Sequence, residues 1–446
     1  MGRIKQFHHP GLSLWQSAVD EVVASRKAGP PTPTLAAPRV VGQRPDTSHL
    51  MVREATSYCD AADSGRPLPE TAAPPGAAED LLHTASFCSL TALKLAKAII
   101  LRNQDDQKRY KEELAKFGDC DPGYAEAAAK YAEYFVAQGK EIPYRTYSDI
   151  GDFVIKDKLS DPATVAVVAD WGTGQDAAKR LLEQIARKDP DVVIHLGDIY
   201  YSGTEFEAAT YFYKPWTEIL NLAANEIPTF TLSGNHDMYC GGGPYYKLID
   251  RLGQPASYFC LRNSKWQFVA MDTGLNDHNP TGGGTGATFL RDSEVAWLHD
   301  KVNNAGGRRT VLLSHHQLFT AYDEIDKNEV NMRLYPQVSA LLSQVSLWLW
   351  GHEHNFVLYG PYMGLQRARL IGHGAFPVGV DELPTEPKFP DVHLVKDASG
   401  NDIRLGTTGG LYNHGYAIMR LNGSSATISY YQDSDEINPL YAETLP

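Results

Sequence analysis

One continuous stretch decides the fold class: residues 164–201 read TVAVVADWGTGQDAAKRLLEQIARKDPDVVIHLGDIYY. Its two β-branched runs, TVAVVA and DVVIHL, end just before Asp170 and Asp198, and the segment between them, 175–188, has apolar residues at helical spacing. Continuous apolar runs of this length are typical of strands buried on both faces. A strand, a helix and a second strand in this order predict parallel strands whose sheet is covered by helices.

The same pattern continues toward the carboxyl terminus. Three more apolar runs lead into polar residues: 228–232 into Gly234-Asn235, 309–314 into His315-His316, and 347–350 into Gly351-His352. Helical stretches lie between most of the runs, at 204–223, 291–304 and 333–344. Near the end, two β-rich runs flank Asn422-Gly423, which is a strong hairpin signal. The sequence therefore predicts an α/β fold with a largely parallel or mixed sheet covered on both faces.

The first 150 residues differ in composition from the rest. Nine of the 27 prolines fall within 28–80, where they prevent long helices, so 1–80 is predicted to be a Pro/Ala-rich wrap or linker. Apolar residues recur at three- and four-residue steps over about 81–140, which predicts two or three helices. We therefore expect a linker at 1–80, a helical region at 81–150 and a catalytic domain at 160–446.

Charge and hydropathy limit the partners. The chain has 41 Lys+Arg against 54 Asp+Glu, a formal net charge of −13, which argues against nucleic acid and anionic membrane surfaces as partners. The most apolar segment, 85–101, is interrupted by Lys94 and Lys97 and is short for a membrane span. No signal peptide is seen at the N-terminus, so we expect a soluble, cytoplasmic protein. The oligomeric state is left open.

The five cysteines are widely spaced and odd in number, which makes a disulfide framework or a structural zinc site improbable. Free or buried thiols are the favoured interpretation, and one Cys240–Cys260 disulfide is left open. His195 lies within an apolar strand, so we expect a core histidine there.

Potential metal ligands follow every one of the five predicted strands. In α/β folds, side chains just past the carboxyl ends of strands gather in one crevice. The residues concerned are Asp170, Asp198, Tyr201, Asn235, His236, His315, His352 and His354. Carboxylate, amide, imidazole and phenolate donors without thiolate suit a hard or borderline metal such as iron, zinc or manganese.

These residues stand in five blocks that resemble those of calcineurin-like metallophosphoesterases, and among them most closely purple acid phosphatases. The blocks are Asp170-Trp-Gly172, Gly197-Asp198-Ile-Tyr-Tyr201, Gly234-Asn235-His236-Asp237, His315 after an apolar strand, and Gly351-His352-Glu-His354. The resemblance covers about 164–375 and the closing hairpin. It implies a two-sheet β-sandwich core flanked by helices, preceded here by the helical and Pro-rich extension.

The resemblance to purple acid phosphatases depends on one substitution. Most members of the superfamily have Asp-x-His in the first block, whereas Gly172 stands at the histidine position here. Tyr201 occupies the place where purple acid phosphatases have a metal-bound tyrosinate, and a phenolate favours ferric iron. Tyr200 is expected to be the packing residue of the pair.

The resemblance also implies a role for each residue. Asp170, Tyr201 and His354 would bind Fe(III); Asn235, His315 and His352 would bind Fe(II), Zn or Mn; and Asp198 would bridge the two metals. The implied reaction is hydrolysis of small phosphate monoesters by metal-bound hydroxide. His236 would be the general acid, and Asp237 would orient it or raise its basicity. Asn235 would also contact substrate, and His316 would either contact the phosphate or line the pocket.

Two other functions stay open at this point. The same metal site would serve a phosphodiesterase that acts on small diesters, such as a cyclic nucleotide or a lipid head group. A metal-containing binding module with residues 1–150 as its functional surface is the third possibility, although an intact ligand set argues against it.

Overall fold

A computed structural model of the chain describes residues 10–27, 81–116, 123–138, 140–220, 227–277 and 286–445. The chain divides into two compact units, 1–141 and 142–446. Within the predicted linker 1–80, residues 10–27 form a helix rather than an extended wrap, and residues 1–9 and 28–80 lie outside the described residues. No helix within the described ranges combines the length and the apolar character needed to cross a bilayer.

The first unit is helical in its described part. Its helices are α1 Pro10–Lys27, α2 Leu81–Ile100, α3 Gln104–Lys116 and α4 Gly123–Gln138. α4 packs against both α1 and α2. The buried Trp15 of α1 meets Tyr131 of α4 edge to face, with ring centroids 5.9 Å apart. The helical extension predicted from the sequence is thus present.

The second unit contains fifteen strands within its described residues. They are β1 Val154–Ile155, β2 Ala163–Val168, β3 Val192–His195, β4 Thr229–Thr231, β5 Phe259–Arg262, β6 Trp266–Ala270, β7 Arg309–Leu313, β8 Val345–Trp350, β9 Phe356–Tyr359, β10 Ala368–Ile371, β11 Thr407–Thr408, β12 Leu411–Tyr412, β13 Gly415–Asn422, β14 Ser425–Gln432 and β15 Tyr441–Leu445. One sheet has the order β1-β5-β6-β7-β8-β10-β9, and a second has the order β15-β14-β13-β2-β3-β4. β11 and β12 form a separate pair.

The helices of this unit are mostly short. They are α5 Asp176–Arg187, α6 Glu205–Glu207, α7 Lys214–Leu220, α8 Asn235–Met238, α9 Gly243–Arg251, α10 Asp292–Asn303 and α11 Tyr335–Val338, with a π-helical turn at Ala208–Tyr213 and a 3₁₀ turn at Ser339–Gln344.

The alternation of side chains along β2 shows how the layers form. Val165 and Val167 belong to the apolar core that also contains inner residues of the other sheet, such as Phe268 and Leu313. Ala166 and Val168 point the other way, into a cluster with Leu181, Leu182 and Ile185 of α5. Successive side chains of a strand face opposite sides, so an all-apolar strand must be covered twice. The predicted two-sheet α/β sandwich flanked by helices is confirmed.

The topology brings five strand ends to one place. β2, β3 and β4 are parallel neighbours, and so are β7 and β8 in the facing sheet. The carboxyl ends of parallel strands share one edge. Backbone hydrogen bonds tie the loops beyond these ends together: Asp170 donates to Gly197 (N···O 3.1 Å), and Gly351 donates to His315 (2.9 Å).

The predicted hairpin at Asn422-Gly423 joins β13 and β14, whose pairing extends from Gly415↔Gln432 to Asn422↔Ser425. Gly423 has φ +58°, a conformation that glycine adopts without steric cost.

Candidate metal centre

A first group of donor atoms forms where β2, β3 and β8 end. The ligand atoms of Asp170, Asp198 and His354 lie within 4.8 Å of one another. The Asp170 Oδ1–His354 Nε2 distance is 3.6 Å. The hydroxyl of Tyr200 lies 3.1 Å from Asp170 Oδ1 and 2.7 Å from His354 Nε2. This group therefore offers carboxylate, imidazole and phenol donors.

A second group forms beside it around the side-chain oxygen of Asn235. This Oδ1 lies 3.1 Å from His315 Nε2 and 3.1 Å from His352 Nδ1, and the two ring nitrogens are 3.3 Å apart. The other nitrogen of His315 donates to the carbonyl of Leu196 (2.9 Å), so its Nε2 is left with a lone pair that faces the group. Such a bond fixes the tautomer of a metal-binding histidine.

Asp198 connects the two groups. It belongs to the first group, while its Oδ1 is 3.4 Å from His315 Nε2 of the second. A carboxylate in this position could serve as a ligand to cations held by both groups. The predicted ligands Asp170, Asn235, His315, His352 and His354 are thus all brought together around it.

Glycines allow the backbone to approach these carboxylates closely. A Cβ on Gly234 would lie 2.0 Å from Asp198 Oδ1, and one on Gly351 would lie 2.5 Å from Asp170 Oδ2. Both distances are well below van der Waals contact, so the glycines of the third and fifth sequence blocks are required by packing.

Three of the candidate ligands adopt left-handed backbone conformations, with φ +53° at Asp170, +76° at Asp198 and +73° at His352. Non-glycine residues in this region are strained by roughly 1–3 kcal/mol each and concentrate at functional sites. At two of these positions the strained backbone is also bonded to the site: the amide of His352 donates to the carboxylate of Asp170 at 3.0 Å.

The electrostatics of the site favour a bound cation. Burial, together with the nearby Asp198, raises the pKa of Asp170 well above its usual value. Burial, together with His316, lowers the pKa of His315 and of His352. In the described part of the chain, no lysine or arginine hydrogen-bonds to Asp170, Asp198 or Asn235. Buried carboxylates that have imidazoles but no lysine or arginine beside them are what metal ions would complement.

Tyr200 does more than pack beside the site. Its hydroxyl contacts Asp170 and His354, whereas the sequence predicted a packing role for it. The backbone amide of the neighbouring Tyr201 donates to Glu207 (2.6 Å). The loop after β3 has no regular period, so spacing from Asp198 does not decide which of two adjacent tyrosines turns inward. The role of Tyr201 as a ligand stays a prediction.

His236 lies at the edge of the site with its Nε2 4.0 Å from Asp198 Oδ2. Its Nδ1 donates to the backbone carbonyl of Tyr201 (2.6 Å), which leaves Nε2 facing the metal groups. The carboxylate of Asp237 accepts from the amides of Gly234 (2.7 Å) and Asp198 (2.9 Å). These contacts hold the backbone of two loops, while a carbonyl orients His236. The role of Asp237 in orienting His236 or raising its basicity stays a prediction.

His316 is buried, and its ring lies beside His352 with centroids 4.3 Å apart. Its Nδ1 contacts Thr273 (3.2 Å) and its Nε2 contacts Asp277 (3.1 Å). Tyr239 is a further contact of the site, since Asn235 Nδ2 donates to its hydroxyl (2.5 Å). Thr273 and Asp277 were not predicted from the sequence, and Tyr239, expected at most on an apolar rim, makes a polar contact instead. The position of Thr273 just after β6 was a usable signal, whereas nothing in the sequence indicated Asp277.

Two other predictions concern the surroundings of the site. His195 is buried in the core as expected; its Nδ1 contacts Thr231 Oγ1 (2.9 Å), and burial lowers its pKa to about 3. Cys240 and Cys260 are both buried free thiols, so the disulfide left open does not form.

Comparisons with known proteins support the superfamily suggested by the sequence blocks. Residues 163–356 match the family model described as calcineurin-like phosphoesterase. A curated relative, the glycerophosphodiester phosphodiesterase GpdQ of Enterobacter lignolyticus (strain SCF1), is 26% identical over 178 residues, which make up 39% of this chain and 59% of the relative. The chain therefore spans about three-fifths of that relative's length. A phosphoesterase of the metal-dependent hydrolase class is supported, and none of these matches is specific to purple acid phosphatases.

Solved structures with a similar arrangement include two that cover much of their own length. A dimetal phosphatase from Danio rerio has a TM-score of 0.40 and 14% identity, covering 64% of this chain and 99% of that one. GAP50, the anchor in the inner membrane complex of Plasmodium, has a TM-score of 0.40 and 11% identity, covering 64% and 89%.

Proposed function

We propose, from the match of residues 163–356 to calcineurin-like phosphoesterases, that this chain hydrolyses small phosphate esters at a site for two metal ions, with monoesters as the first candidate substrates. One observation carries the proposal: Asp170 and His354 on one side, and His315 and His352 on the other, converge on the shared carboxylate of Asp198. The metals proposed are Fe(III) in the first group and Fe(II), Zn or Mn in the second.

Asn235 and His236 would have different roles in the proposed reaction. Bound cations supply Lewis acidity and a nucleophile at neutral pH. Asn235 presents its side-chain oxygen, because its amide nitrogen is held by Tyr239. His236 directs Nε2 toward the substrate side and would donate a proton to the leaving oxygen. The hydrogen bond from Nδ1 to the Tyr201 carbonyl holds the ring in the orientation that this step requires.

A phosphodiesterase is the second candidate, and two observations favour it. The curated relative is named as a glycerophosphodiester phosphodiesterase. In addition, the described donor groups include no lysine or arginine bonded to Asp170, Asp198 or Asn235. A monoester carries about −1.5 to −2 charges at neutral pH, more than a diester, and therefore demands more positive charge from its site.

Two chromogenic substrates with one leaving group separate the candidates. Under the first candidate, kcat/KM for p-nitrophenyl phosphate should exceed that for bis(p-nitrophenyl) phosphate by about tenfold or more, equivalent to roughly 1.4 kcal/mol of transition-state stabilisation. The reversed ratio would establish the diesterase. If the metal-loaded protein hydrolyses neither ester, the proposed function itself is contradicted.

Paired tyrosine variants test the ligand set. In protein loaded with ferric iron, Tyr200→Phe is expected to remove the visible phenolate-to-iron absorption and to lower iron content, because the Tyr200 hydroxyl lies between Asp170 and His354. Tyr201→Phe is the matched control and should keep both. If only Tyr201→Phe loses the absorption band, Tyr201 is the metal-bound tyrosinate. A colourless wild-type protein loaded with iron would argue against any tyrosinate ligand.

A further inference from the structure

Glu207 is a buried carboxylate close to the site that the reaction outlined above does not use. Its relative exposure is 0%, and it begins the π-helical turn after α6. Its Oε1 accepts from the amide of Tyr201 (2.6 Å), and its Oε2 accepts from the amides of Ser202 (3.1 Å) and Thr204 (3.0 Å). A single side chain thus accepts three of the four backbone amides of the loop 201–204, and the fourth, that of Gly203, donates to the carbonyl of Ile199.

The loop is held from other directions as well. The amide of Glu207 donates to Thr204 Oγ1 (3.2 Å), which completes a reciprocal capping box. The thiol of Cys240 donates to the carbonyl of Gly203 (3.2 Å). Gly203 has φ +59°, and a Cβ there would lie 2.6 Å from Asp237 Cα, so the loop packs directly on the turn that carries His236.

What this loop presents to the site is a single backbone acceptor. The carbonyl of Tyr201 receives Nδ1–H of His236 at 2.6 Å. A carbonyl can only accept, so this bond fixes both the tautomer and the ring orientation of His236. The position of that carbonyl depends in turn on the peptide units of Tyr201 and Ser202, whose amides Glu207 holds.

We propose that Glu207 is a positioning residue for His236, acting through the Tyr201 backbone. Its carboxylate fixes the loop, the loop fixes the carbonyl, and the carbonyl aims Nε2 of the histidine at the leaving oxygen. This inference rests on the proposed function of His236 as general acid.

Glu207→Gln is the direct test. A carboxamide has one acceptor oxygen, and its NH₂ group would face backbone amides, so at least one loop amide loses its partner. With an alkyl monoester, whose poor leaving group needs a proton, we expect kcat to fall about 10²-fold, the scale expected for a displaced catalytic group. With p-nitrophenyl phosphate, whose leaving group needs little protonation, we expect less than about a threefold change on the same argument. KM and metal content should be unchanged.

Glu205→Gln is the matched control. Glu205 lies on the same short helix, but its carboxylate is exposed and pairs with Lys247 at 2.7 Å. This variant should behave as wild type with both substrates. If Glu207→Gln lowers kcat by the same factor for both substrates, or lowers it for neither, the positioning role is overturned.

A second variant and an NMR measurement test the role of Glu207 without relying on the catalytic rate of Glu207→Gln alone. Thr204→Ala loosens the same capping box and should show the same substrate split to a smaller degree, so it serves if Glu207→Gln does not fold. In ¹⁵N-histidine-labelled protein, His236, identified by its loss in His236→Asn, should show protonated Nδ1 in wild type and a tautomer mixture in the loosened variants. An inactive wild type would contradict the proposed function alone, whereas an unchanged His236 tautomer in both variants would overturn the role of Glu207.

Discussion

Asp198→Asn is expected to lower kcat/KM for phosphate esters by about 10³-fold or more, since removing even one electrostatic contact at a reaction centre typically costs 10²–10³-fold. The structure gives the reason: Asp198 is the carboxylate shared by both donor groups, within 3.4 Å of His315 Nε2 and grouped with Asp170 and His354. The neutral amide offers one weak oxygen donor instead of two charged ones. Bound metal, measured by elemental analysis, should fall from two ions per chain to one or fewer.

Asp191→Asn is the matched control for this variant. Asp191 precedes β3, at the end of the strand opposite Asp198, and its exposed carboxylate accepts from the amide of Thr164 at 2.7 Å. The same chemical change there should leave metal content and turnover unaltered. Two metal ions and full activity in Asp198→Asn would exclude the bridging role.

His236→Asn is expected to lower kcat for an alkyl phosphate by about 10²–10⁴-fold, the usual contribution of a positioned acid. The effect should depend on the substrate, because p-nitrophenolate departs without full protonation. A plot of log kcat against leaving-group pKa should therefore be steeper in the variant than in wild type. Metal content should not change, since the polar contacts of the His236 ring are the Tyr201 carbonyl and the more distant Asp198, and its ring neighbours Tyr200 and Tyr239 are kept.

His393→Asn provides the comparison at an exposed histidine. It should leave the slope of that plot unchanged. If His236→Asn slows activated and unactivated esters by the same factor, its ring binds or orients substrate and another group supplies the proton.

Much of the fold could be predicted from the sequence because its strands are buried on both faces. Runs such as TVAVVA have no polar face. They therefore predict both a strand and its burial by other elements on each face of the sheet. That β2 and β7 lie in different sheets could not be read from periodicity, because parallel strands of either sheet have the same pattern. The two-sheet arrangement was predicted only because the five sequence blocks resemble those of calcineurin-like metallophosphoesterases.

The cluster of candidate ligands could be predicted for a related reason: each of them follows an apolar run within a few residues. Supporting residues were not, because they act through the backbone. Asp237 and Glu207 both hold loop amides, and the sequence cannot show whether a carboxylate next to a histidine faces its ring or a peptide group. Tyr200 and Tyr201 show the same limit, since a loop without regular period gives adjacent side chains no predictable direction.

The left-handed conformations of Asp170, Asp198 and His352 affect the stability of the protein and hence its rate of degradation. Strain at three positions and two buried carboxylates lower the free energy of unfolding of the metal-free chain. The cations proposed for the site would restore it, by about 1.4 kcal/mol for every tenfold excess of free metal over its dissociation constant. Chains that lose metal would therefore unfold more often and be degraded first. Metal supply would then set the abundance of this protein as well as its turnover.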